Sequence, residues 1–205
     1  MKKYKGNITF WATGYMWIIT SMAILYLLIA YVTIDEIKCS IEDIITSSAL
    51  SAALIDNDRY AISGDLYIQD YEDCIEKFEH YFAELEGINN FDTSGKADGP
   101  SEHAYLNFKT GDKVIIKKFI IYNVSNTPNS VGHFIGEQYT FNNGHWATLT
   151  SVDFGSASDS YIKTPLNKPV TTTCIYVEME LPINVHFFGI KGKITKAQTI
   201  AIETK

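Results

Sequence analysis

The residues with the most evident chemical potential are one cysteine and one histidine that lie far apart in the chain. Cys174 follows Thr172 and Thr173 in an apolar, strand-like segment, and His103 lies upstream in a polar segment. A thiol performs acyl transfer when a base removes its proton and a donor stabilises the oxyanion. In such an enzyme Cys174 would be the nucleophile and His103 the base. The alternative interpretation is that Cys174 is a small buried hydrophobe in a strand.

Thr172-Thr173-Cys174 resembles the T-x-T-C strand of sortases, which are membrane-anchored β proteins. The resemblance implies a cysteine transpeptidase, and it also implies an arginine that follows the cysteine. Arg59 is the only arginine of the chain, and Lys191 and Lys193 would be poor substitutes for a bidentate guanidinium. A sortase-like cysteine transpeptidase is therefore kept only as an alternative to a role without catalysis.

Other fragments match catalytic or metal-binding motifs only in part. Ser160 and Lys163 have the S-x-x-K spacing and Lys109-Thr110-Gly111 has the K-T-G form, but they occur in the wrong chain order for penicillin-binding enzymes. Asp56 and Asp58 begin like a calcium loop that lacks the required glycine and the terminal acid. The sequence therefore predicts a protein that is not an enzyme, with no catalytic residue, no cofactor and no metal site.

An apolar segment without any charged residue runs from Ile8 to Thr33. A helix that crosses the hydrocarbon core needs about 20 such residues. Lys2, Lys3 and Lys5 precede the segment and Asp35 follows it, which predicts a cytoplasmic N-terminus and an extracellular C-terminal part. The alternative is a cleaved signal peptide, but its apolar region is only about 7–15 residues long and ends near a small-x-small site.

The charge of the chain is strongly asymmetric. The net charge is −7, and from Asp35 onward 14 basic residues face 24 acidic ones, a charge of −10. Such an acidic region repels a phosphate backbone. We therefore exclude nucleic acid as the primary ligand.

The apolar pattern continues at helical spacing beyond the membrane segment. It predicts one helix from Ile8 to about Ile55, or two helices with a bend near Thr33, followed by a second amphipathic helix over Leu66–Glu86. If the two helices form a hairpin, Cys39 and Cys74 lie several turns apart, too far for a disulfide.

The remainder of the chain is typical of β structure. Residues 89–103 have the composition of a loop, and Gly155–Pro169 is a second, longer loop. Between and after them, turn signals such as Asn142-Asn143-Gly144 separate apolar segments. The predicted strands are Tyr105–Phe108, Lys113–Val124, His133–Phe141, His145–Phe154, Thr171–Val185 and Ile190–Thr204. In the fifth strand, apolar Ile175, Val177 and Met179 alternate with Tyr176 and Glu178, the pattern of a half-buried strand.

These elements predict an α+β fold. A long N-terminal transmembrane helix continues into an amphipathic helical hairpin and is followed by an antiparallel β-rich head. The predicted organisation is a cytoplasmic basic leader (1–7), a transmembrane helix (8–33), an extracytoplasmic helical stalk or hairpin (34–88), a linker loop (89–103) and a β-rich head (104–205).

The layout resembles pilins and pseudopilins, and most closely the TadE/TadG-like pilus-assembly proteins of low-GC Gram-positive bacteria. Three features carry the resemblance: Lys5–Trp11 at the start of the span, Ala49–Leu54 with Tyr60 after it, and a final hairpin over Cys174–Thr204 that contains Glu180-Leu181-Pro182. The resemblance implies a structural protein of a pilus or secretion apparatus. It also implies that the leader is cleaved after Gly6.

The resemblance further implies that the helix contacts membrane lipid and other pilin or secretion-apparatus subunits, in a homo- or hetero-oligomer at the cell membrane or in a surface filament. Type IV pilins carry a glutamate five residues into the mature helix, where it pairs with a neighbouring N-terminus. Counted from Asn7, that position is Trp11. We therefore expect a minor pilin. A simple anchored extracellular binding domain is the remaining alternative.

Overall fold

The computed structural model describes residues 5–89, 91–92, 95–98, 113–125, 133–142, 144–156, 161–185 and 190–203. The elements in chain order are α1 (Lys5–Ala52), α2 (Asn57–Ser63), α3 (Tyr71–Glu86), β1 (Lys96–Asp98), β2 (Lys113–Val124), β3 (Phe134–Asn142), β4 (His145–Gly155), β5 (Cys174–Val185) and β6 (Ile190–Ala201). The long apolar helix and the antiparallel sheet confirm the predicted α+β class. The chain divides into two compact units, Met1–Cys39 and Ser40–Lys205, which are described in turn.

The N-terminal unit consists of the first part of α1. This helix is uninterrupted over 48 residues, so the alternative of two separate helices is wrong. Within the described residues, it is the one helix long and apolar enough to cross a membrane. Its large side chains are exposed, for example Phe10 at 74% and Trp17 at 70%. The hydroxyl groups of Thr13, Thr20 and Thr33 donate to the carbonyl four residues earlier, which leaves these polar side chains satisfied within the helix.

The C-terminal unit begins with the last turns of α1. Ile41, Ile45 and Ala49 recur every four residues and are fully buried, which makes one face of these turns part of the core. On a neighbouring face, the Glu42 carboxylate pairs with the Lys196 ammonium of β6. The helix ends at Ala52, three residues before the predicted end.

Two side-chain caps determine where α2 and α3 begin. The Asp56 carboxylate accepts the Arg59 N–H at 3.0 Å and caps α2, a short helix that the sequence analysis did not predict. The second long helix begins at Tyr71 instead of Leu66, because the Asp70 carboxylate accepts the N–H groups of the next turn and fixes the start there. It ends, as predicted, before Gly87, which is left-handed at φ 62°.

The segment between α2 and α3 is held at Ile68 by an antiparallel bridge to Ile55 and by one buried side chain. Asn123 of β2 is fully buried. Its amide oxygen accepts the Ile68 N–H at 2.9 Å, and its amide nitrogen donates to the Ile68 carbonyl at 3.0 Å. The Asn123 side chain thus extends the hydrogen bonding of the sheet to this segment and explains why no helix forms there.

All strand pairs are antiparallel, and the main strand order is β4-β3-β2-β5-β6. The strands β2 to β6 lie within three residues of their predicted ends, and Asn142 pairs with His145 across the predicted turn. β1 pairs with the first residues of β2 and lies inside the segment predicted as a linker loop, so that prediction is wrong for Lys96–Asp98. The predicted strand Tyr105–Phe108 lies outside the described residues.

Both faces of the central strand β2 are covered, since every residue from Phe119 to Val124 is buried. On the helix face, the Phe119 ring lies 5.2 Å from the ring of Phe78 in α3. The other face forms a core of Ile120, Tyr122, Val124, Phe154, Val170, Cys174 and Tyr176, against which Ile162 packs. The expectation that Tyr176 faces solvent is therefore wrong, because part of the predicted loop Gly155–Pro169 covers the sheet there.

Candidate functional site

Cys174 lies at the first position of β5, with Ala201 and Tyr122 as its partners on the two neighbouring strands. Its side chain is 4% exposed, and burial raises the pKa of the thiol to about 12. A nucleophilic cysteine requires the opposite shift, towards the thiolate. His103 lies outside the described residues. Cys174 therefore has the environment of a buried hydrophobe, the alternative that the sequence left open.

The other residues considered for chemistry have structural partners or lie outside the described residues. Lys193 pairs with Glu180 at 2.6 Å, and Lys163 is an exposed residue that forms an isolated bridge with Pro169. Ser160, Lys109-Thr110-Gly111 and the side chain of Lys191 lie outside the described residues. Among the residues that are described, no group of three His, Cys, Asp or Glu side chains is placed to hold a metal ion.

A cleft of about 450 Å³ lies between α3, the segment that follows it, and the turn end of the β3–β4 hairpin. We call it the acidic cleft. Its lining combines three carboxylates and three aromatic rings, namely Glu76, Glu79, Asp92, Phe91, Phe141 and Trp146. Concave sites of this size that combine apolar walls with a few polar groups are the usual form of binding sites in proteins.

α3 supplies two of the carboxylates because of its periodicity. Phe78 and Phe82 are fully buried on the side that faces the sheet. Glu76 and Glu79 are three residues apart and therefore lie beside each other on a different face of the helix. The position of this face is fixed by the Phe78–Phe119 contact, so the same packing that forms the core orients the carboxylates.

The hairpin supplies the aromatic wall. The rings of Phe141 and Trp146, which flank the turn, have centroids 5.2 Å apart, and the Tyr71 ring contacts Trp146 edge-on at 5.0 Å. Gly95 supports this wall from behind. It has φ +70°, and a Cβ at this position would lie 3.1 Å from Cε1 of Phe141. A larger residue would therefore press on the wall.

The charged groups that act on Glu79 in the acidic cleft are both carboxylates. Burial, followed by the charges of Glu76 and Asp92, raises the pKa of the Glu79 carboxyl to about 7. The nearest lysine along the helix, Lys77, pairs with Asp73 at 2.7 Å. The Asp92 carboxylate accepts the backbone N–H of Lys96 at 3.1 Å, which fixes its place at the rim.

A second polar cluster joins the segment before α3 to β3. The hydroxyl groups of Tyr67 and Tyr139 both donate to the Glu137 carboxylate, and the Arg59 guanidinium lies 3.7 Å above the Tyr67 ring. Burial and the Glu137 carboxylate raise the pKa of both phenols. Tyr139 also stacks on Tyr71 at 4.2 Å. The groups of this cluster satisfy one another, and we assign it a structural role.

The sequence predicted the amphipathic helix that contains Glu76 and Glu79 and the turn that precedes Trp146, but it predicted no binding site at either. The only available signal was that aromatic residues flank the predicted turn while acidic residues remain on the helix face opposite the apolar stripe. In comparisons with known proteins, no protein-family model, no curated protein and no solved structure matches this chain.

Proposed function

We propose that this chain is a non-enzymatic, single-pass membrane-anchored subunit of an envelope assembly. The more specific proposal is a TadE-like minor pilin or a structural component of a type IV/Tad-like pilus or secretion apparatus. The observation that carries this proposal is that α1 is a single continuous helix of 48 residues. One helix thus supplies both an apolar segment and part of the core of the C-terminal unit.

The apolar part of α1 supports the role of an anchor. Large apolar side chains from Phe10 to Val32 are exposed, which is stable in lipid and costly in water. Lysines precede this part and acids follow it, so the positive-inside rule favours a cytoplasmic N-terminus. In the proposed assembly, the exposed face contacts lipid and the helices of other subunits.

The last turns of α1 support the comparison with pilins. Ile41, Ile45 and Ala49 are core residues, so the helix that anchors the chain is also needed for the C-terminal unit to fold. Trp11 stands where type IV pilins carry a glutamate, and this favours a minor subunit over a filament-forming one.

The surroundings of Cys174 support a role without catalysis. The thiol is buried, and its pKa is raised to about 12. An acyl-transfer enzyme of the sortase kind requires an accessible thiolate beside a base. The proposal therefore assigns function to surfaces that bind other proteins.

The proposal is tested by cross-linking in native membranes. Cys39 is the exposed cysteine of α1, whereas Cys74 and Cys174 are buried. A bismaleimide cross-linker should therefore capture the neighbours of this helix through Cys39 alone. We expect covalent dimers or adducts with other envelope subunits, and we expect them to disappear in the control variant Cys39→Ser. A strictly monomeric chain that cross-links to no partner would contradict the proposal.

The N-terminal residue of the protein recovered from the same membranes distinguishes the two forms of the proposal. A start at Asn7 would show processing of the prepilin type and support assembly into a filament. A start at Met1 would leave an uncleaved anchor and favour an assembly-factor role.

A further inference from the structure

The acidic cleft is a feature of the C-terminal unit that neither the packing of the core nor the proposed anchoring explains. It combines Glu76, Glu79 and Asp92 with the rings of Phe91, Phe141 and Trp146. These six residues come from three separate segments of the chain, α3, the segment after it and the β3–β4 hairpin.

The charges of the cleft favour a positively charged occupant. The groups that act on the Glu79 carboxyl are two further carboxylates, and no cation among the described residues contributes. Lys77 pairs with Asp73, and His80, which also lines the cleft, lies 3.9 Å from Glu84 on the following turn. Glu79 is half-buried beside the exposed carboxylates of Glu76 and Asp92, so ionising it costs free energy that a bound cation would offset.

The aromatic wall indicates an organic cation. Ammonium and guanidinium groups are attracted to the faces of aromatic rings, and tryptophan is the best of these. A metal ion would instead need several oxygen atoms that converge on one point. No three acidic, histidine or cysteine side chains do so within the described residues. An alkylammonium or guanidinium group on an apolar stem satisfies both the carboxylates and the rings.

We propose that the acidic cleft binds a lysine or arginine side chain from a basic segment of a partner protein. The inference rests on the proposed function, because a subunit of an assembly meets its partners through the part of the chain outside the membrane. Charge complementarity identifies the partner surface as basic, since this chain carries −10 from Asp35 onward. The carboxylates fix the cationic group, and the Trp146 and Phe141 rings contact its stem.

The chain offers its own reporter for this binding. It has three tryptophans, of which Trp11 and Trp17 lie in the apolar part of α1 and Trp146 lies in the cleft. In the background W11F/W17F, Trp146 is the only tryptophan fluorophore. The full-length chain in an uncharged maltoside detergent is titrated with hexalysine and with hexa-arginine. We expect a saturable change in Trp146 emission that weakens as salt is added.

The decisive comparison uses two variants that change the net charge equally. E76Q/E79Q removes two carboxylates from the cleft, and D43N/E72Q removes two exposed carboxylates that do not line it. We expect the Kd of hexalysine to rise about tenfold or more in E76Q/E79Q and less than about twofold in D43N/E72Q. The single variant E79Q should change the Kd in the same direction by less, and it serves if the double variant does not fold.

Three results would overturn the inference. These are equal weakening in the two charge-matched variants, a Trp146 emission that does not respond to either peptide, and displacement of hexalysine by choline at equal concentration, which would identify a small-molecule site. None of these results bears on cross-linking through Cys39, which tests the proposed function on another element. Loss of that cross-linking with intact peptide selectivity would instead contradict the assembly role alone.

Discussion

Each face of the sheet carries one region in which burial raises the pKa of an ionisable side chain. The two regions differ in the groups that surround that side chain. On one face, Cys174 is enclosed by apolar neighbours, and the pKa of its thiol is raised to about 12. On the helix face, Glu79 lines an open cleft, and the pKa of its carboxyl is raised to about 7. The physical cause is the same, but only the second region leaves space and charge for a ligand. A raised pKa by itself therefore does not mark a functional site.

The largest expected effect comes from a substitution in the core that surrounds Cys174. Phe154 is fully buried there and contacts Tyr122 edge-on at 6.1 Å. We expect Phe154→Ala to reduce the free energy of unfolding by about 3–5 kcal/mol, because it leaves a cavity in a packed core. Thermal unfolding of the full-length chain in detergent, followed by circular dichroism, should show a Tm lower by roughly 6–20 °C.

The control for this variant is Ile62→Ala, since Ile62 is 88% exposed on α2. Its Tm should change by less than about 2 °C. Equal shifts for Phe154→Ala and Ile62→Ala would mean that this face of the sheet is not a packed core.

The next largest effect concerns the aromatic wall of the acidic cleft. Gly95 has φ +70°, and a Cβ there would approach Phe141 to 3.1 Å. We expect Gly95→Ala to cost about 1–3 kcal/mol from the left-handed backbone and the crowded ring. It should also change the emission of Trp146, which contacts Phe141.

Gly192→Ala is the matched control, because a Cβ at Gly192 meets no atom within 4 Å. Both variants are compared by Tm and by Trp146 emission in the W11F/W17F background. If Gly192→Ala changes these properties as much as Gly95→Ala, Gly95 does not support the cleft.

A smaller effect is expected at Cys174, where a substitution distinguishes a role in packing from a role in catalysis. We expect Cys174→Ala to lower stability by about 1–1.5 kcal/mol, since one buried group of roughly methylene size is lost. Cross-linking of the variant through Cys39 in native membranes should remain unchanged. If the variant were present at an unchanged level but had lost its function in the cell completely, the transpeptidase alternative would be supported instead.

The smallest effect is the pH dependence contributed by Glu79. The pKa of its carboxyl is raised from 4.5 to about 7 in the folded state, so the folded chain holds a proton that the unfolded chain has lost. The free energy of unfolding therefore falls as the pH rises through this window, and it is constant on either side. Glu79→Gln should remove this contribution and raise stability at pH 8 by about 0.5–1 kcal/mol, a value reduced by water at the partly exposed carboxyl.

The measurement is Tm against pH from 4 to 9 for the wild-type chain, Glu79→Gln and the exposed control Glu72→Gln. Glu79 is one of several ionisable side chains in the chain, so the slope should become smaller in Glu79→Gln without vanishing. An unchanged slope in Glu79→Gln would show that its carboxyl is solvated and that the cleft is less enclosed than described.

The elements that could be predicted from the sequence are those whose signals are local. The charge-free segment from Ile8 to Thr33 is sufficient to predict an exposed apolar helix. Alternation and turn residues predicted β2 to β6 because each strand carries its own period. The start of α3 was misplaced because apolar Leu66 and Ile68 fit the helical spacing, whereas the Asn123 amide, 55 positions away, holds Ile68 in extended form.

No residue of the candidate site was predicted to belong to a site, and only the elements that carry these residues were predicted. The acidic face of α3 follows from its period, and Trp146 follows from its place beside a turn. Their meeting depends on the contact between Phe78 and Phe119 and on the course of the chain through Asp92. Such long-range packing leaves no periodic signal. The burial of Tyr176 in the cluster against which Ile162 packs was missed for the same reason.

The side chain of Asn123 has a practical consequence for producing the protein. Asn123, Val124 and Ser125 have the order of an N-glycosylation acceptor, and a glycan would be attached to the amide nitrogen that donates to Ile68. Because this amide is fully buried, a glycosylated chain cannot complete the sheet. Expression through a eukaryotic secretory pathway would therefore divide the product into folded, unmodified chains and misfolded glycoforms. A bacterial host, which lacks this modification at the sequon, avoids the loss.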